Sequence, residues 1–115
     1  MYHEFPFTWE RDTEAIYLYI DAPGAIGDSL QVALKPIENF DGKRTAVMVE
    51  WERPIIKRGD GPKPNQRYEG AVQVHAKIDA TLATADYENG VVTVRLPFAA
   101  DAAKPVTLTV RCKTP

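Results

Sequence analysis

Two histidines, one cysteine and a few turn-borne carboxylates are the side chains of this sequence suited to ligate a metal, attack an electrophile or move a proton. His3 and His75 stand in different segments, and neither has a cysteine or histidine neighbour at zinc-ligand spacing. Cys112 has no base beside it in sequence, so it reads as a spare surface thiol rather than a nucleophile. Asp12, Glu14, Asp86 and Glu88 fall in or beside turns, where carboxylates are solvated. Asp60-Gly61 lacks the further oxygen ligands of a calcium loop. Neither a glycine-rich phosphate cradle nor a Ser-His-Asp pattern is present. The sequence points away from catalysis and implies no metal and no cofactor.

A chain of 115 residues makes one domain, burying roughly two thirds of the surface its unfolded form exposes. Hydrophobic residues make up 44% and charged residues 26%, the balance of a soluble globular protein. A net charge of −2 with no basic block gives no footprint for nucleic acid. No apolar run approaches the length of a membrane-spanning helix, and Met1-Tyr2-His3-Glu4 does not open a secretory signal. A lone cysteine cannot form an internal disulfide, which fits a reducing, cytoplasmic setting.

The elements read as short strands. Phe5, Phe7 and Trp9 alternate around Pro6, which suits an edge strand; they are either core-capping aromatics or an exposed, adhesive arm. Ala15 to Ile20 alternates Ile16, Leu18 and Ile20 against Tyr17 and Tyr19, and Asp21-Ala22-Pro23-Gly24 ends it in a turn. Leu30, Val32 and Leu34 mark a second strand, Pro36 to Lys43 a loop, and Thr45 to Trp51 a third strand. Between Glu52 and Gln66 prolines, glycines and lysines form a long loop whose apolar point is Ile55-Ile56. Val72, Val74, Ala76 and Ile78 share one face of the next strand, and Leu82 to Tyr87 forms another. Ala99 to Pro105 is a small-residue linker, and Val106 to Val110 alternates as a strand. About eight short strands with no sustained helical period predict an all-β, antiparallel, immunoglobulin-like sandwich.

The sharpest signal is Ala85-Asp86-Tyr87-Glu88-Asn89-Gly90-Val91-Val92-Thr93-Val94-Arg95-Leu96-Pro97. Asn89-Gly90 tolerates the positive φ of a tight hairpin turn, and Pro97 closes the β-branched run that follows. The order Ala-x-x-x-Asn-Gly-Val-Val-Thr-Val-x-Leu-Pro resembles the signature of the small heat-shock proteins, in their α-crystallin domain. Asp21-Ala22-Pro23-Gly24 and the Tyr68-Glu69-Gly70 restart follow the same family's order, so the likeness spans roughly residues 8 to 110.

That resemblance implies a sandwich over residues 1–98, with 1–6 as a short arm, and a linker and tail over 99–115. It implies ATP-independent holding of unfolded client proteins, assembly as a homodimer or small homo-oligomer, and partners that are neither nucleic acid nor membrane. Residues implied by the likeness are Leu108 and Val110 as a tail motif, docking between the strand of Leu30, Val32 and Leu34 and the strand begun by Leu82. Pro54, Ile55 and Ile56 fall in the dimerisation loop, and Phe5, Phe7 and Trp9 are candidates for client contact. The chain departs from the family pattern at Val74, commonly arginine, at Phe98, commonly lysine, and in its short arm. The rival expectation is a non-catalytic adaptor or structural module on the related CS-type sandwich, docking a folded partner.

Overall fold

The computed structural model describes residues 5–39, 42–55, 65–99 and 106–112. Among them nine strands form: β1 (Phe7–Arg11), β2 (Ala15–Asp21), β3 (Gln31–Asn39), β4 (Gly42–Arg53), β5 (Gln66–Val74), β6 (Thr84–Glu88), β7 (Val91–Pro97), β8 (Val106–Leu108) and β9 (Val110–Cys112). One sheet runs β1-β2-β7-β6-β9 and the other β5-β4-β3-β8. Every pairing is antiparallel except β6 with β9.

The β6–β7 hairpin forms where the sequence places it. Asn89 and Gly90 hold φ of 53° and 79°, the left-handed geometry that matches a tight turn to the twist of its strands. β7 then pairs with the whole of β2, from Ala15↔Pro97 to Asp21↔Val91. The turn after β2 packs against the hairpin: Ala22 N–H donates to the Gly90 carbonyl at 2.7 Å, and the Tyr87 hydroxyl donates to the Ala22 carbonyl at 2.7 Å. At the other end of β2, Asp12 Oδ1 accepts the N–H groups of Glu14 and Ala15 at 2.7 and 2.8 Å. These backbone donors, Glu14 first, hold the Asp12 carboxyl below its ordinary range.

Alternation carries Ile16, Leu18 and Ile20 of β2, and Val92 and Val94 of β7, into the interior. There they meet Val32, Val47, Val49, Val72 and Val74 of the opposite sheet, and all ten are buried. The apolar rows of two sheets thus become one core, at about 25 cal/mol per Å² removed from water.

Four boundaries differ from expectation. Pro36 lies inside β3 rather than in a loop, and β3 and β4 pair out to Asn39↔Gly42. Among the described residues β8 covers β3 only from Val32 to Leu34, and past that point β3 is an edge strand, where proline is tolerated. β5 stops at Val74, and Ile78 is buried through an isolated bridge to Phe98. Leu82 closes a single 3-10 turn (Ala80–Leu82), because the Asp79 side chain accepts the Thr81 N–H at 3.1 Å and diverts the backbone; β6 starts at Thr84. Val106 to Val110 is split between two strands in different sheets.

Candidate functional site

Both sheets end at two seams, and the sequence treats these seams differently. At the first, β1 is the outer strand of one sheet and β5 of the other. Phe7, Trp9 and Arg11 register with Ile20, Leu18 and Ile16, so they share the core-facing side of their sheet. Among the described residues, sheet β5-β4-β3-β8 has no strand beyond β5 to cover them. Phe7 therefore remains 42% exposed and Trp9 60% exposed. With Ile16, Leu18, Val72 and Val74 they line an open cleft of about 340 Å³, and His75 stands at its rim. Arg11 caps one end, its guanidinium 5.0 Å above the Phe98 ring.

Phe5 behaves differently from its two neighbours. It is half-buried, with its ring centroid 5.2 Å from that of Trp51, which in turn stacks on Tyr68 at 5.3 Å. A socket on β5 admits it: a Cβ placed on Gly70 would lie 2.5 Å from the Phe5 ring. Arg53 covers the far side of Tyr68 at 4.9 Å. The N-terminal aromatics thus divide into one plug, Phe5, and two uncovered rings, Phe7 and Trp9.

At the second seam the chain covers itself. β8 pairs with β3 through Val32↔Leu108 and Leu34↔Val106, and β9 pairs with β6 through Ala85↔Val110 to Tyr87↔Cys112. Leu108 is buried in the core cluster, Val110 is half-buried against it, and Thr107 and Thr109 are exposed. Of the residues expected to form a groove there, Leu30, Val32 and Leu34 are buried. Leu82 stands apart from them, 60% exposed on its turn. Arg111 Nε donates to Asp86 Oδ1 at 2.7 Å across β9 and β6.

No family model matches the chain, and no curated protein matches it. Solved structures do. Heat shock protein 16.0 from Schizosaccharomyces pombe aligns with a TM-score of 0.63 over 87% of this chain and 70% of that one, at 15% identity. HSP18.5 from E. histolytica aligns with a TM-score of 0.61 over 87% of this chain and 92% of that one, at 18% identity. The Del-C4 mutant of hsp14.1 from Sulfolobus gives 0.59, covering 85% and 78%, at 19% identity. The sandwich has the small heat-shock protein fold.

Within that fold, Val74 is buried at the open cleft where the family commonly carries arginine, and Phe98 receives Arg11 where it commonly carries lysine. Both departures make the first seam more apolar. Of the expected dimerisation residues, Pro54 is exposed and Ile55 half-buried, while Ile56 lies outside the described residues. His3 and Asp60-Gly61 lie outside them too. Among the described residues no three His, Cys, Asp or Glu side chains cluster as a metal site, and no helix is long and apolar enough to cross a membrane. Sequence reasoning missed the socket at Gly70. Its signal was a glycine between inward-facing Tyr68 and Val72, where a missing side chain leaves room for a neighbour.

Proposed function

We propose that this chain is an ATP-independent holdase of the small heat-shock type, acting in the cytoplasm, that holds partly unfolded proteins against its open seam. The observation that carries the reading is the pair Phe7 and Trp9, core-facing yet uncovered, on a sandwich of this fold. An unfolding client exposes apolar segments that gain by covering such rings, and no nucleotide is needed to bind an unfolded form. Aromatic side chains bury about 150–250 Å² each, so the exposed fractions amount to roughly 200 Å², or about 5 kcal/mol before ordering costs. That is weak, reversible holding, and more than one copy per client would raise the avidity.

Self-association belongs to the same proposal. β4 ends at Arg53 and β5 begins at Gln66, and the segment between them carries Pro54, Ile55 and Ile56. Deleting Pro54 to Pro64 is expected to convert dimers or small oligomers to monomers by light scattering, and an unchanged mass refutes this contact.

The holdase is tested by light scattering of a heated model client without ATP. Suppression that grows with the chaperone-to-client ratio is expected. No suppression at any ratio, with a folded partner recovered in a stable complex instead, replaces the holdase with the adaptor.

A further inference from the structure

The open cleft at the first seam differs in chemistry between its two ends. Phe7, Trp9 and Arg11 lie in one row of β1, registering with Ile20, Leu18 and Ile16. Four steps along a strand carry that row over about 13 Å. Across the cleft Val72 and Val74 are the last inward residues of β5, and His75 follows at the rim. Arg11, His75 and Phe98 therefore mark the same end. At the other end the Phe5 ring takes the place of a side chain at Gly70, one inward position before Val72. The result is a slot with apolar walls, blind at Phe5 and cationic at Arg11.

The charge at the Arg11 end is not neutralised within the sandwich. Among the described residues no carboxylate pairs with Arg11, whose guanidinium rests 5.0 Å from the centre of the Phe98 ring. The carboxylates nearest in sequence are engaged elsewhere. Glu10 accepts the Tyr19 hydroxyl at 2.6 Å, Asp12 accepts the N–H groups of Glu14 and Ala15, and Glu14 lies 3.8 Å from Arg95. Glu10 and Tyr19 belong to the rows of β1 and β2 that alternate away from the core. A guanidinium presents a planar fork of donors that matches a carboxylate, and the His75 imidazole on the facing rim adds a ring N–H.

We propose that this slot binds a free single-chain amphiphile with an anionic head, an alkyl carboxylate, with its chain along Phe7 and Trp9 and its carboxylate at Arg11. The cleft volume of about 340 Å³ falls within the roughly 300–1,000 Å³ of small-molecule pockets. Between the two ends its walls are Phe7, Trp9, Ile16, Leu18, Val72 and Val74. Such walls select for apolar length and leave orientation to the single charged end. An unbranched chain suits them, because two facing strand rows bound a straight, narrow channel. The slot is the surface the holdase reading uses, yet amphiphile binding needs no client and stands or falls separately from it.

Isothermal titration calorimetry of the natural chain tests this with alkyl carboxylates from hexanoate to tetradecanoate, each kept below its micelle concentration. Saturable binding is expected, tightening by roughly two- to fourfold per methylene and levelling off once the chain outgrows the blind slot. The alcohol of equal length should bind about three- to fivefold more weakly than the carboxylate, and the alkylammonium more weakly still. In Arg11→Gln the carboxylate and the alcohol should bind alike. The melting temperature of that variant should stay within a few degrees, because Arg11 is exposed. Trp9→Ser should weaken every member of the series. The proposal is overturned by an absence of saturable binding, by equal affinity for all three head groups, or by an affinity that climbs with chain length without levelling. It is also overturned if the chain sediments with vesicles of mixed anionic and zwitterionic phospholipid but binds no free carboxylate, which would assign the surface to a membrane.

Discussion

Replacing Leu108 with alanine removes the deepest contact the tail makes with the sandwich. Leu108 is 7% exposed, registers with Val32 and belongs to the core cluster. Burying and then truncating a leucine costs about 2–5 kcal/mol, more where the surroundings cannot collapse. Here the site lies on a three-residue strand at a sheet edge, which can settle into the gap, so the low end applies, about 2–3 kcal/mol. The cost is bounded above by the free energy of seating the tail, because the variant can instead release it. For a domain of this size 1 kcal/mol shifts the midpoint by roughly 4 °C, so the loss expected is on the order of 10 °C. Thermal unfolding followed by circular dichroism measures it, with Leu82→Ala as the control. Leu82 is 60% exposed and its truncation should stay within about 0.5 kcal/mol. An unchanged midpoint for Leu108→Ala would refute the placement of the tail in its own sandwich.

Gly70→Ala should expel the Phe5 ring, since the new Cβ would approach it to 2.5 Å, at a cost of roughly 1–2 kcal/mol. Trp51 fluorescence shifting to the red would report the lost contact, and Phe5→Ala should then add almost nothing in that background. Gly90→Ala places a Cβ on a residue at φ 79° and 3.4 Å from Pro23 Cα, and should cost about 1–2 kcal/mol in urea unfolding. Asp12→Asn should lower the melting temperature near neutral pH. The native state depresses the Asp12 pKa, so its contribution is complete above the ordinary value of 3.8 and is lost as pH falls through the lower, folded value. Melting curves of the two proteins should therefore converge in acid.

The hairpin at Asn89-Gly90 and the apolar alternation of β2, β4 and β7 were legible because each depends on neighbours within a few residues. Pro36 was not, because its tolerance in β3 depends on where β8, some seventy positions later, stops covering that strand. Leu82 was misplaced by its apolar character; the Asp79 side chain two positions before Thr81 decides the turn. The alternation of Val106 to Val110 was visible, but not its division between two sheets, since a period of two fits either edge equally. The exposure of Phe7 and Trp9 could not be read from β1, because it follows from the extent of the opposite sheet, which among the described residues ends at β5.

The open seam is the centre of this account, and one comparison tests it most directly. Aggregation of a heated client is followed by light scattering, without ATP, in the presence of the natural chain or of Phe7→Ser/Trp9→Ser. Phe7 is 42% and Trp9 60% exposed, so the substitutions should leave the melting temperature within a few degrees. The expected result is suppression by the natural chain and loss of most of it in the variant. Equal suppression by both, at equal stability, would contradict the assignment of client holding to the β1 face.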